Sequence, residues 1–342
     1  MRLTTTIGHT PRSALAATTT VRAMRLIDDA HVEAATRALL GAIDAGDGGT
    51  DEQRGVLTAV VSGYWDRPDL DLGALEPLEP GEVADHFPEP QQRRRLREFM
   101  VLLEICRHPL TEEQVARVDA YADALGEDGP GLRLARTLVR DGTARALADY
   151  TRFSNAARVS WAEPSLVDQY LRVLDEPDPE LAARLTALHD LPEGTLGWEY
   201  VEFYRRQGLA LPGVDTFIPA FFVAHDMNHV IAGYGTTGQE ETALSAMILG
   251  MADTDDHWVL LLTSLAAYEL GLSKTETFVG KEAVMARAGA APLVADALRR
   301  GAACTGDFSS TDHLALAHVP VADVREQFGV PPLDVGLLPP RA

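Results

Sequence analysis

Apolar residues recur along most of the chain at the three- and four-residue spacing of one α-helical face. Leu96, Phe99 and Leu103 follow this spacing after a charged start, and Pro109 lies just beyond them, so a helix is predicted to end before the proline. Few stretches alternate apolar and polar residues as a half-buried strand does. The pattern therefore predicts an all-α protein.

The first half of the chain has the pattern of an Ala-rich bundle of helices. Thr111 and Gln114 have the spacing of a capping box, and Gly126 is a typical helix stop. Further helical patterns cover residues 28–46, 52–64, 131–140 and 143–152. We predict three segments: a flexible N-terminus over residues 1–24, a helical bundle over residues 25–152, and a second helical domain over residues 153–338.

The composition narrows the class of protein. The 342 residues are 46% hydrophobic and carry a formal net charge of -21, which is typical of a globular protein and argues against nucleic-acid binding. Cys106 and Cys304 lack the spacing of a disulfide framework or a cysteine zinc site. The 28 Arg against two Lys suggest a GC-rich bacterial genome, and we expect a cytoplasmic protein, at most peripheral at the inner membrane.

Candidate chemistry is concentrated in residues 215–250. His225 and His229 are four residues apart, so on a helix their side chains stack on one face within reach of one ion. A glycine-rich stretch follows, and Glu240 and Glu241 open the next predicted helix. The glycines would let the chain turn and return a carboxylate towards the histidines.

Two imidazoles and one carboxylate suit one divalent ion, such as Zn, Fe, Mn, Co or Mg. Asp226, beside His225 on the helix, either ligates the ion or orients a histidine. Ile218, Phe221 and Phe222 continue the histidine face upstream, either as plain core or as the wall of an apolar substrate pocket. By spacing alone, most histidine pairs four residues apart in helical proteins are surface or core residues.

The sequence supports a phosphohydrolase less well than it supports the metal site described above. His-Asp pairs also mark metal-dependent phosphohydrolases, but these enzymes need further separated ligands. The run from Asp253 to His257 is predicted to be a solvated helix start, and Asp312 with His313 is predicted to be a surface pair. The sequence contains no Gly-rich phosphate loop and no Gly-x-Ser-x-Gly nucleophile elbow.

The segment HDMNHVIAGYGTTGQEE resembles the signature of the coenzyme Q (ubiquinone) biosynthesis protein 4 family, which is H-D-x-x-H, then eleven residues, then Glu. Three more segments resemble that family in the expected order: LPEGTLGWEYVEFY over residues 191–204, ALRRG over residues 297–301 and VPVADVREQFGVPP over residues 319–332. The resemblance covers about residues 160–335, half of the chain.

The resemblance implies an all-helical domain whose metal ligands are His225, Asp226, His229 and Glu241. It also implies a role in ubiquinone assembly, with oxidative decarboxylation and hydroxylation at one ring carbon, association with prenylated lipids, and organisation of a biosynthetic complex. Glu240 departs from the pattern, because the family usually has Gly there. Many members also have an aromatic residue near the position of Asn228.

Residues 56–128 resemble, without a sharp motif, the tellurite-resistance TerB-like helical module of bacterial stress proteins. Three functions therefore stay open. The first is a metal-dependent enzyme that acts on a carboxylated or hydroxylated aromatic or prenylated quinone-type substrate, including one of secondary metabolism. The second is a prenyl-lipid-binding scaffold of a biosynthetic complex with a structural metal. The third is a stress-response interaction protein, and a homodimer is compatible with each.

Overall fold

The computed structural model describes residues 25–158, 163–166, 177–214, 220–272 and 283–340. These ranges contain α-helices, one isolated antiparallel bridge between Thr195 and Pro320, and no strand, which confirms the all-α prediction. The flexible N-terminus predicted over residues 1–24 lies outside them. In chain order the helices are α1 (Val32–Ile43), α2 (Asp51–Ala59), α3 (Pro80–His86), α4 (Pro90–Ile105), α5 (Glu112–Leu125), α6 (Pro130–Asp141), α7 (Thr143–Arg158), α8 (Pro179–Thr186), α9 (Leu196–Gln207), α10 (Phe222–Ala232), α11 (Gly238–Met251), α12 (Asp255–Tyr268), α13 (Ala290–Ala303) and α14 (Val321–Gln327).

The ends of α5 follow from its sequence. Thr111 caps the start by accepting a hydrogen bond from the Gln114 backbone N–H, and Gly126 ends the helix in the left-handed conformation. Only half of the predicted capping box forms, because the Gln114 side chain is buried and donates to the carbonyl of Ala42 at 2.9 Å. A buried amide that finds a backbone partner is satisfied in the core.

One hydrophobic core extends through both halves of the described chain. Phe99 of α4 and Trp258 of α12 meet edge to face, with ring centroids 4.5 Å apart. Helix α13 packs closely on α11, and the backbone of Gly301 approaches Met247 so closely that no Cβ would fit. The boundary predicted between residues 152 and 153 lies within α7, and the division into two domains stays a prediction.

Helix α11 is the central element of this core. Every residue from Gln239 to Met251 is buried, as in a helix that is surrounded by other elements. Glu241 is in its first turn, so the packing around α11 fixes its position. Across the described ranges, no helix is long and apolar enough to cross a membrane.

Candidate metal centre

Helix α10 carries both candidate histidines. The rings of His225 and His229 lie one turn apart, with centroids 4.8 Å from each other, as the four-residue spacing predicts. The helix ends at Gly233, which takes up the left-handed conformation with φ 89° and donates its N–H to the His229 carbonyl at 2.8 Å. Glycine adopts this conformation without the steric cost of a side chain.

Glu240 stabilises the turn between α10 and α11 through hydrogen bonds. Its carboxylate accepts hydrogen bonds from the backbone N–H of Gly235 at 2.8 Å and from the Thr237 hydroxyl at 2.8 Å. Thr237 and Glu240 also form a full capping box at the start of α11. The departure from the family pattern at Glu240 therefore has a local structural role, and it leaves the next residue, Glu241, directed at the histidines.

Three candidate ligand atoms converge between α10 and α11. The Nε2 atoms of His225 and His229 lie 3.1 Å apart, and Oε2 of Glu241 lies 3.1 Å from the first and 3.3 Å from the second. These three residues are a group that could hold a metal ion. The glycine-rich turn thus brings the carboxylate to the histidines, as the sequence predicts.

The triangle fits the dimensions of a shared ion. Ligand atoms bound to one ion at about 2.0 to 2.2 Å, with angles of about 90 to 110 degrees between them, lie about 2.8 to 3.6 Å apart. The observed separations of 3.1 to 3.3 Å fall within that range. Two imidazole lone pairs and a carboxylate oxygen at these distances repel one another unless a proton or a cation lies between them.

The two histidines keep the Glu241 carboxylate ionised in spite of its burial. Burial raises the pKa of Glu241, but its interactions with the two histidines together lower the pKa by more, so the net shift is downwards. Burial lowers the pKa of His225, but its hydrogen bond to Glu241 raises it, and the net shift is upwards. An ionised carboxylate is the form that binds a metal ion.

Among the described residues, the cluster is more exposed at His225 than at His229. The side chain of His229 is fully buried, whereas that of His225 is 14% exposed. Phe221 and Phe222 flank His225, with ring centroids at 6.4 Å and 5.6 Å. The exposed edge of the cluster is therefore lined by aromatic rings, while Ile218, the third predicted pocket residue, lies outside the described residues.

Asp226 is not among the three residues whose ligand atoms converge. Its Oδ2 accepts a hydrogen bond from the hydroxyl of Tyr204 in α9. Burial raises the pKa of Asp226 to about 6, and the nearby histidines oppose that shift. The convergent set is His225, His229 and Glu241, and the Asp226 carboxylate is engaged by a tyrosine; its predicted role as ligand or orienting group stays a prediction.

Two side chains that support the site were not singled out in the sequence. Phe203 stacks on His229 with centroids 5.5 Å apart, and Tyr204 holds Asp226. No other described residue hydrogen-bonds Nδ1 of His229, so this imidazole is oriented by the stacked Phe203 ring and by the contacts of its Nε2 with His225 and Glu241. Both aromatic residues belong to the segment LPEGTLGWEYVEFY, whose resemblance to the family is the signal that could have identified them.

Asn228, beside the two histidines on α10, belongs to a buried polar network. His313 is completely buried, and its Nε2 lies 2.8 Å from Oδ1 of Asn228. The prediction that Asp312 and His313 form a surface pair is therefore wrong for His313, because Asn228 supplies a partner inside the core. The predicted solvated helix start is also only partly right, since Asp253 and His257 are buried.

Comparisons with known proteins give a distant likeness. No family model matches the chain, and no curated protein matches it. Among solved structures, the chain is similar to a "Putative ubiquinone biosynthesis protein" from Nostoc punctiforme, at 19% identity and a TM-score of 0.31, over 68% of this chain and 97% of that one. The TerB-like resemblance of residues 56–128 stays a prediction.

Proposed function

We propose that this protein is a metal-dependent enzyme that acts on a carboxylated or hydroxylated aromatic ring, including prenylated quinone-type substrates. The observation that carries the proposal is the convergence of His225, His229 and Glu241, whose ligand atoms are 3.1 to 3.3 Å apart. Two histidines and one carboxylate are a ligand set of catalytic metal sites, and three protein ligands leave a position for water or substrate. The substrate class comes from the family resemblance.

The surroundings of the three ligands suit an aromatic substrate. The exposed edge of His225 lies between Phe221 and Phe222, so a planar ring that approaches the centre would meet aromatic surfaces. In this proposal Asp226 stays hydrogen-bonded to Tyr204, and the protein supplies three ligands. The chain's own residues would thus bind the ion, exclude water on the buried His229 side and orient the ring on the other.

The proposed reaction replaces a ring carboxyl group by a hydroxyl group. The carbon–carbon bond to the carboxyl group breaks and releases CO2, and one oxygen atom of O2 enters the ring as the hydroxyl. The second oxygen atom is reduced to water with two electrons and two protons from an external reductant. A bound redox-active ion would supply the activation of O2, and a redox-inert ion would only polarise the ring.

The test is turnover by the metal-loaded protein. The purified chain is loaded with Fe²⁺ and incubated with a prenylated hydroxybenzoate, isotope-labelled O2 and a reductant, and the product is analysed by mass spectrometry. We expect labelled oxygen in a decarboxylated ring, no product from His225→Ala or Glu241→Gln, and normal turnover from His189→Ala, a half-exposed histidine that pairs with Glu202.

If the protein is fully loaded with metal and forms no product, the proposal that it is an enzyme is contradicted. If the same protein then co-purified with a prenyl lipid and its ion had no exchangeable water, the result would support the alternative, a lipid-binding scaffold with a structural metal. The number of bound waters separates the two because a structural site is saturated by protein ligands.

A further inference from the structure

The last turn of α10 carries one of the candidate ligands. His229 is three residues from the end of this helix at Ala232, where the final four carbonyl groups have no partner within the helix. Gly233 donates to the His229 carbonyl at 2.8 Å. The carbonyls of the three following residues need donors from elsewhere in the fold.

Two arginines supply all three donors. Arg325 of α14 donates through Nη2 to the Val230 carbonyl and through Nε to the Ile231 carbonyl, both at 2.9 Å. Arg300 of α13 donates through Nη2 to the Ala232 carbonyl at 2.8 Å. The end of α10 is therefore closed by two guanidinium groups that come from different helices.

The two guanidinium groups repel each other in this arrangement. Burial and the charge of Arg300 both lower the pKa of Arg325, so the two cations are held close together against their repulsion. Arg300 is 5% exposed, also donates to the Pro331 carbonyl at 3.0 Å, and lies over the ring of Tyr234. Cations at a helix C-terminus gain from the helix dipole, and here they also fix the direction in which the chain leaves α10.

We propose that Arg300 and Arg325 are positioning residues of the metal centre. Neither touches a candidate ligand. They hold the final turn of α10, so that His229 stays at the observed distance from His225 and the following turn delivers Glu241. This inference rests on the proposed metal site, and it assigns a role to the segments that contain residues 297–301 and 319–332.

The experiment measures Co²⁺ binding by the full chain, with Co²⁺ as a visible probe of ligand number and geometry. We expect Arg325→Ala and Arg300→Ala to weaken Co²⁺ binding by about tenfold to a hundredfold, as loss of groups that orient metal ligands does, and to alter the visible spectrum. Arg325→Lys should recover only part of the affinity, because an ammonium group cannot reproduce the two fixed donors of a guanidinium.

Arg299→Ala is the matched control. Arg299 neighbours Arg300 on α13 but is 53% exposed and pairs with Asp296, so this variant should keep the wild-type affinity and spectrum. If Arg325→Ala or Arg300→Ala does not fold, Arg325→Lys and Arg300→Lys carry the test. Wild-type affinity and spectrum in the folded variants would overturn the positioning role alone, whereas a wild-type protein that binds no Co²⁺ would overturn the proposed function as well.

Discussion

The carboxylate of Glu240 accepts a hydrogen bond from the backbone N–H of Gly235 at 2.8 Å, across the turn that joins the two ligand-bearing helices. The same carboxylate accepts from the Thr237 hydroxyl, and Thr237 caps the helix in return. This turn determines where Glu241 points. Glu240, the neighbour of the candidate ligand Glu241, thus stabilises the turn that positions the ligand.

Glu240→Gly tests whether the hydrogen bonds of Glu240 stabilise this turn. The variant loses the capping box and the bond to Gly235 and places a glycine in the first turn of α11, so we expect it to lower the free energy of unfolding by about 1 to 3 kcal/mol. Glu240→Gln keeps an acceptor for the same donors and should lose less. Urea unfolding measures both, and equal stability of Glu240→Gly and wild type would show that the turn is held by other contacts.

Tyr204→Phe should leave the buried Asp226 carboxylate without its hydroxyl donor. A buried polar group that loses its partner costs about 1 to 3 kcal/mol, so we expect a drop of that size in the free energy of unfolding. In a background of Asp226→Asn the same substitution should cost less, because the charge is gone. A double-mutant cycle by chemical unfolding measures the coupling, and independent effects would exclude a direct interaction.

Glu104→Gln should stabilise the protein in a pH-dependent way. Burial in α4 raises the pKa of Glu104 well above its usual range, with the charge of Asp119 acting in the same direction. The folded state therefore retains a proton that the unfolded state loses above about pH 4.5, and the stability associated with this proton falls as the pH rises.

Glu104→Gln removes the ionisable group and with it this fall in stability. The free energy of unfolding of the variant should exceed that of wild type by about 1 to 3 kcal/mol near pH 8 and by little near pH 4.5. Unfolding by urea at both pH values provides the measurement. Exposed Glu112→Gln on α5 is the control and should show no such trend. A gain for Glu104→Gln that is the same at both pH values would contradict this explanation.

Gly301→Ala tests the packing that supports α11. A methyl group at this position would collide with the backbone of Met247 and Gly250, and overpacking of this kind costs about 1 to 3 kcal/mol. Gly81→Ala is the matched control, because nothing lies within 4 Å of the added methyl group there. Thermal unfolding should show a lower midpoint for the first variant only, and two unchanged midpoints would mean that the helices separate easily.

The local parts of the site follow from the sequence. Helical spacing places His225 and His229 on one face, and the glycines after α10 indicate the turn that returns Glu241. The contacts that depend on distant segments do not follow, because no local pattern shows that Tyr204 reaches Asp226 or that Arg325 reaches the end of α10. The same reason explains the wrong prediction for His313, whose partner Asn228 is 85 residues away.

The most direct test of the account is the metal content of the purified protein and of His229→Ala. His229 is fully buried beside Phe203, so its loss removes one of three ligands without changing an exposed surface. We predict about one ion per wild-type chain by elemental analysis, at least tenfold less in the variant, and nearly unchanged helix content by circular dichroism. His189→Ala should retain the ion, and a His229→Ala protein with full metal content would contradict the assignment of the centre.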